Sequence, residues 1–162
     1  MALTLFFAVL MISVFTAASK EDVSPNNVCP DYWYPDNGNC YRLIACPMTF
    51  VKAEAECRLF GPESHIASIH NEQENDFVFT FQGSFVNMWI GLHDNEQEHV
   101  FQWTDDSPLG YQNWHAGQPD HSCGLLCEGH CAQFDVKSES FTKWSLDDCS
   151  SEKMFVCKQP MP

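Results

Sequence analysis

The chain has 162 residues, nine cysteines and a formal net charge of -14, from 22 acidic residues against 8 basic ones. That length suits one domain with one sizeable core. So acidic a surface repels phosphate backbones and anionic lipids, which argues against nucleic-acid binding and peripheral membrane binding, while it tolerates cations, calcium included.

Residues 1–18 read as a signal peptide, with an apolar run from Leu3 to Phe15 and small residues at Thr16-Ala17-Ala18-Ser19. The alternative, a membrane anchor, needs roughly 18 or more apolar residues, and this run is shorter. No Lys or Arg precedes it, so the n-region offers only the terminal amine. No other stretch is long enough to span a bilayer, and a secreted, extracellular protein without membrane insertion is expected. Nine cysteines in that oxidising setting indicate a disulfide framework. Because nine is odd, at least one is free, bridged to another chain or bound to something else. Residues 19–28 form a short polar lead-in, and the domain is expected over 29–162.

In chain order, Cys29 and Cys40 flank the turn residues Pro35-Asp36-Asn37-Gly38, which reads as two short strands stapled together. Thr49 stands where it can cap a helix over 50–60, with Phe50, Ala53 and Cys57 facing inward and Gly61-Pro62 ending it. Asn71 followed by Glu74 resembles a capping box for a second helix, with Phe77, Val78 and Phe81 as its buried stripe. Trp89-Ile90-Gly91-Leu92 and Val100-Phe101-Gln102-Trp103 read as strands. The stretch 105–128 is rich in Gly, Pro, Asp, Asn and Ser, and a loop of that length in a compact domain is usually functional or disordered. Cys131-Ala132-Gln133-Phe134 and Phe155-Val156-Cys157 read as closing strands.

The ordered set Cys29-Pro30, Trp33, Cys40-Tyr41, Cys57, Ile66-Ala67-Ser68-Ile69, Trp89-Ile90-Gly91-Leu92, Asn113-Trp114, Gln118-Pro119-Asp120, Cys131, Trp144, Cys149 and Phe155-Val156-Cys157 resembles the C-type lectin family over nearly the whole mature chain. The resemblance implies an α+β fold, the C-type lectin-like fold, with two helices, two small antiparallel sheets and a long irregular loop. It also implies the bridges Cys57–Cys157 and Cys131–Cys149, with Cys29–Cys40 as the extra bridge of the long form. Trp89, Trp103, Trp114 and Trp144 are expected as scaffold.

In sugar-binding members a calcium ion sits on the long loop, and a sugar's paired hydroxyls complete its coordination. Gln118-Pro119-Asp120 resembles the galactose-type motif, in which side-chain oxygens bind the ion while the remaining atoms hydrogen-bond the hydroxyls; the amide–acid order sets which side donates. Pro119 is expected in the cis form. The candidate sugar-binding residues are Gln118, Asp120, Glu128 and His121, and the candidate calcium ligands are Gln118, Asp120 and Glu128. The chain departs from the pattern after Trp144. Ser145 and Leu146 stand where binders carry Asn and Asp, with Asp147 and Asp148 just beyond. Gly129 replaces a further acid, which leaves Glu128 one residue earlier. Asp94 and Glu98 resemble half of an auxiliary calcium site whose other acids would fall at His121 and His130.

Cys46, Cys123 and Cys127 remain. A local Cys123–Cys127 bridge would stiffen the loop and leave Cys46 for a disulfide-linked homodimer, in which bivalency would raise avidity for clustered glycans. A zinc cluster of His121, Cys123, Cys127, His130 and Cys131 competes less well in an oxidising setting. No arrangement of catalytic residues is evident, and an enzyme is not expected. Three functions remain open in ranked order: a lectin for terminal galactose or N-acetylgalactosamine, a calcium-independent protein-binding module that has kept the fold, and an acidic matrix or mineral-associated protein.

Overall fold

A computed structural model describes residues 28–83, 86–94, 100–120, 129–136 and 142–162. Its elements are β1 (Tyr34–Asp36), β2 (Asn39–Met48), α1 (Phe50–Arg58), β3 (His65–Ile66), α2 (Glu72–Phe79), β4 (Met88–His93), β5 (Gln102–Trp103), β6 (His130–Phe134), β7 (Trp144–Asp148) and β8 (Lys153–Pro160). The fold is α+β, as expected from the resemblance. The two antiparallel halves meet where β4 runs parallel to β8, so a single connected path runs β1-β2-β8-β4-β6-β7, with β3 on β8 and β5 on β4.

The β1–β2 hairpin turns at Asn37 and Gly38, both with positive φ. Phe50, Ala53 and Cys57 are the buried residues of α1, one inward stripe at helical spacing. Thr49 occupies the N-cap position with its side chain unused; only its carbonyl is engaged, by Ala53 N–H at 2.9 Å. In α2, Asn71 caps as expected, its side chain accepting from Glu74 N–H at 2.9 Å. Its inward face differs from the expected stripe: Glu74, Asn75 and Val78 are buried, while Phe77 and Phe81 are only partly so. Two polar side chains can point inward because partners wait there. Asn75 accepts from Trp144 Nε1 at 2.8 Å and donates to Thr142 O at 3.2 Å.

β5 is shorter than the expected strand, and Phe101 packs instead on the Trp114 ring at 5.3 Å. Trp103 and Trp144 are fully buried and meet edge-on, with Trp114 packed beside Trp144. Gly91 is required by close approach: a Cβ there would stand 2.4 Å from Ile66 O. Disulfides join Cys29 to Cys40, Cys57 to Cys157 and Cys131 to Cys149, the pairing implied by the resemblance. Cys46 is a free, exposed thiol on β2, and Cys123 and Cys127 lie outside the described residues. None of the described helices is long and apolar enough to cross a membrane.

Candidate functional site

The long loop is laid against β7 by backbone bonds. Trp144 N–H donates to Asn113 O at 2.9 Å, and His115 N–H donates to Trp144 O at 2.8 Å. The Asn113 side chain completes the clamp, giving Nδ2 to Thr142 O at 2.9 Å and taking the Lys143 ammonium on Oδ1. Gln118 N–H then reaches back to His115 O at 2.9 Å, and the Gln118–Pro119 peptide is cis. Gln118 and Asp120, two of the four expected sugar-binding residues, are thereby held together at this end. His121 and Glu128 lie outside the described residues, as does Glu98.

The Gln118 side chain has a defined role. Its Oε1 accepts from Leu146 N–H at 3.0 Å and from Asp120 N–H at 3.1 Å, so both lone pairs are committed to the backbone. Leu146 packs its aliphatic side chain against the main core. Strand alternation sends Ser145 and Asp147 to the opposite face of β7. There Ser145 Oγ accepts from Gln133 Nε2 at 3.1 Å, and Asp147 pairs with the Lys153 ammonium. Asp148 Oδ1 takes Ser150 N–H at 2.8 Å.

A calcium ion needs about 6–8 oxygen ligands. The described residues do not fit one at this end: Gln118 Oε1 is doubly occupied, Leu146 has no side-chain oxygen, and Ser145 and Asp147 face elsewhere. Among the described residues, no group of three or more His, Cys, Asp or Glu side chains could hold a metal ion. Asp94 of the expected auxiliary site is buried and bound to His130, accepting its N–H at 3.1 Å with the imidazole Nδ1 at 3.2 Å. An imidazole thus stands where the auxiliary site would need an acid. Cys131 is consumed by its disulfide, which removes it from the zinc alternative.

Sequence reading missed a second polar centre. Glu74, expected only as part of a capping box, accepts from Tyr41 OH at 2.7 Å, from His70 N–H at 2.8 Å and from the Lys158 ammonium. Lys158 also donates to Ser68 O at 3.1 Å and Ser68 Oγ at 3.2 Å, and both charged side chains are at most one-tenth exposed. The available signal was alternation: Val156 and Lys158 share one face of β8, and Val156 is core. Burial pushes the Glu74 carboxyl up, but the Lys158 ammonium and the Tyr41 and His70 donors outweigh it and hold the group below its ordinary value.

Ser68, Ser107, His70 and Asp105 lie alongside. Both hydroxyls donate to Asp105, and His70 Nε2 sits 3.1 Å from Ser68 Oγ and 3.3 Å from Ser107 Oγ. A nucleophile–base–acid triad has its carboxylate on the imidazole. Here the carboxylate holds the serines instead, which describes a structural network.

A sequence model of the lectin C-type domain matches residues 46–159. A C-type lectin of Micrurus corallinus is 31% identical over 157 residues, covering 94% of this chain and 95% of the relative. A relative from Hoplocephalus stephensii called a galactose-binding isoform is 29% identical, and one from Oxyuranus scutellatus called a mannose-binding isoform is 30% identical; each alignment covers 94% of this chain and 96% of the relative. Among solved structures, the C-type lectin CEL-I of Cucumaria echinata superposes with a TM-score of 0.74 at 29% identity, covering 84% of this chain and 100% of that one.

Proposed function

Because the chain belongs to the C-type lectin domain family, we propose that it is a secreted carbohydrate-binding lectin whose long-loop end takes terminal galactose or N-acetylgalactosamine. One observation carries the reading. The Gln118 carbonyl is fixed by two backbone N–H groups, one of them that of Asp120, so the amide keeps its NH2 as donor on the loop that also carries the Asp120 carboxylate. Adjacent sugar hydroxyls, each both donor and acceptor, complement that pair. Calcium, which C-type lectin domains commonly bind, is assigned no contact in this recognition. The apolar leader supports secretion, and binding rather than catalysis is the activity.

The test is retention of the disulfide-bonded protein on galactose resin, with elution by free galactose and, separately, by chelator. Release by free galactose but not by chelator is expected. Gln118→Ala should weaken retention about fivefold or more, the loss of at least one hydrogen bond. Release by chelator would mean that a metal ion takes part in the recognition and would overturn its calcium-free form. Flow-through from a correctly bridged sample would sink galactose binding.

A second reading, a calcium-independent protein-binding module, is favoured by one specific observation: Leu146 fills with core packing the place where binders carry a ligand carboxylate. Flow-through on galactose, mannose and N-acetylglucosamine resins together would move this reading to first place.

The exposed Cys46 thiol supports a disulfide-linked homodimer as part of the proposal. Non-reducing electrophoresis should give a band at twice the monomer mass that disappears on reduction and in Cys46→Ser. Identical monomer bands with and without reductant would remove the dimer.

A further inference from the structure

We propose that a cleft between the β1–β2 hairpin, the start of α2 and β8 is a second binding site, for a neutral polyhydroxylated ligand such as a sugar residue. Its volume is about 430 Å3, within the range of small-molecule sites, roughly 300–1,000 Å3. A neighbouring hollow of about 310 Å3 shares Asn39, His70 and Lys158 with it, so the recess continues along β8.

The floor is built and electrically closed. Tyr41 is almost fully buried, and Glu74 and Lys158 neutralise one another across it, with every short contact made inside the protein. An ionic ligand would find no uncompensated buried partner there. The rim is carboxamide, imidazole and carboxylate: Asn39, Asn71, Gln73, His70 and Asp36. An apolar ligand would lose water without gaining matching surface.

The internal bonds also decide which atoms a ligand meets. Asn39 Nδ2 gives one hydrogen to Asn37 O at 3.3 Å, which holds the carboxamide and leaves Oδ1 as an acceptor for a ligand hydroxyl. Asn71 Oδ1 caps α2, so Nδ2 is its donor to a ligand. His70 Nε2 lies against the Ser68 and Ser107 hydroxyls, which leaves Nδ1 for the cleft. Burial, followed by the nearby Lys158 charge, holds the His70 pKa below its ordinary 6.5 despite the opposing carboxylates of Glu74 and Asp105, so the ring is neutral at physiological pH. The rim thus offers both donors and acceptors, and Asn39, Asn71 and His70 are already held by other bonds. That arrangement suits hydroxyl groups and spares the ordering cost on binding.

The proposal does not depend on the galactose reading. The experiment is a 1H–15N NMR titration of the full-length secreted protein with galactose, glucose, mannose and N-acetylglucosamine, each into the millimolar range. The side-chain amide signals of Asn39, Asn71 and Gln73 report the cleft, and that of Gln118 reports the long-loop end. Saturable shifts of the three cleft signals are expected with at least one sugar. They should persist in Gln118→Ala and weaken about fivefold in Gln73→Ala, an exposed position whose loss leaves the helix cap intact. Cleft signals that stay fixed with all four sugars, or whose movement vanishes in Gln118→Ala, would overturn the site. Failure of the long-loop reading would appear separately, as an unmoved Gln118 signal.

Discussion

Replacing Lys158 by methionine is expected to destabilise the fold by about 3–5 kcal/mol, the cost of leaving one member of a buried ion pair without its partner. The substitution keeps most of the apolar stem and removes the ammonium that Glu74, Ser68 O and Ser68 Oγ all meet. Glu74 would remain enclosed by Tyr41 OH and His70 N–H alone. Equilibrium urea unfolding at neutral pH, with disulfides intact, measures the loss. A deficit below about 1 kcal/mol would mean that the pair behaves like an exposed surface ion pair. The triple variant Lys158→Met, Glu74→Leu, Tyr41→Phe should recover much of the deficit, because well-packed apolar residues commonly replace a buried pair at little cost and no Tyr41 hydroxyl is left without its acceptor.

The same cluster gives a pH dependence of definite sign. In the folded protein His70 lies below its ordinary 6.5, Glu74 below 4.5 and Asp105 below 3.8. For Asp105, burial acts upward, and the Ser107 and Ser68 hydroxyls outweigh it. Each group therefore binds protons more readily unfolded than folded, and stability falls as pH falls. The His70 contribution is present above 6.5 and is lost as pH falls through its folded value. The carboxylate contributions are present above their ordinary values and are lost further into acid. In Lys158→Met, Glu74 loses the cation that does most to lower its pKa, so the carboxyl takes a proton at higher pH than in the parent. The variant's deficit should shrink between neutral and mildly acidic pH; a deficit constant with pH would indicate a packing loss instead.

The second large effect belongs to Cys57–Cys157, which closes 100 residues and ties α1 to β8. Cys57→Ser with Cys157→Ser should cost about 2–5 kcal/mol, mostly by freeing the unfolded chain. Both sulfurs are fully buried beside Ala53, Ile66 and Phe155, so two hydroxyls without partners would add to the loss. Removing Cys29–Cys40, which spans 11 residues at the hairpin, should cost less, because a short loop restricts the unfolded chain less. A larger loss from the short bridge in paired thermal melts would contradict this ordering.

Much of the scaffold was legible from local pattern. Phe50, Ala53 and Cys57 announce one helix face, Asn71 announces a cap, and the Trp89–Leu92 run announces a buried strand. Glu74 was legible only as far as the cap, since a local rule uses its backbone N–H and says nothing of where the carboxylate goes. Ser145 and Leu146 flagged a departure in the expected ligand set. They did not reveal that Leu146 N–H is itself the partner of Gln118. Asp94 was noticed as a candidate ligand, but its bond to His130 joins residues 36 positions apart.

The sequence by itself determined the two helices and several of the strands, because periodicity, caps and turns act over a few residues, while the bridge pairing followed from the resemblance its ordered motifs carry. Only the tertiary structure decided what the polar groups are committed to. Lys158 meets Glu74 across 84 residues, and Leu146 meets Gln118 across 28. A buried donor or acceptor must find a partner or carry the full cost of desolvation, and which partner it finds depends on how distant strands come together.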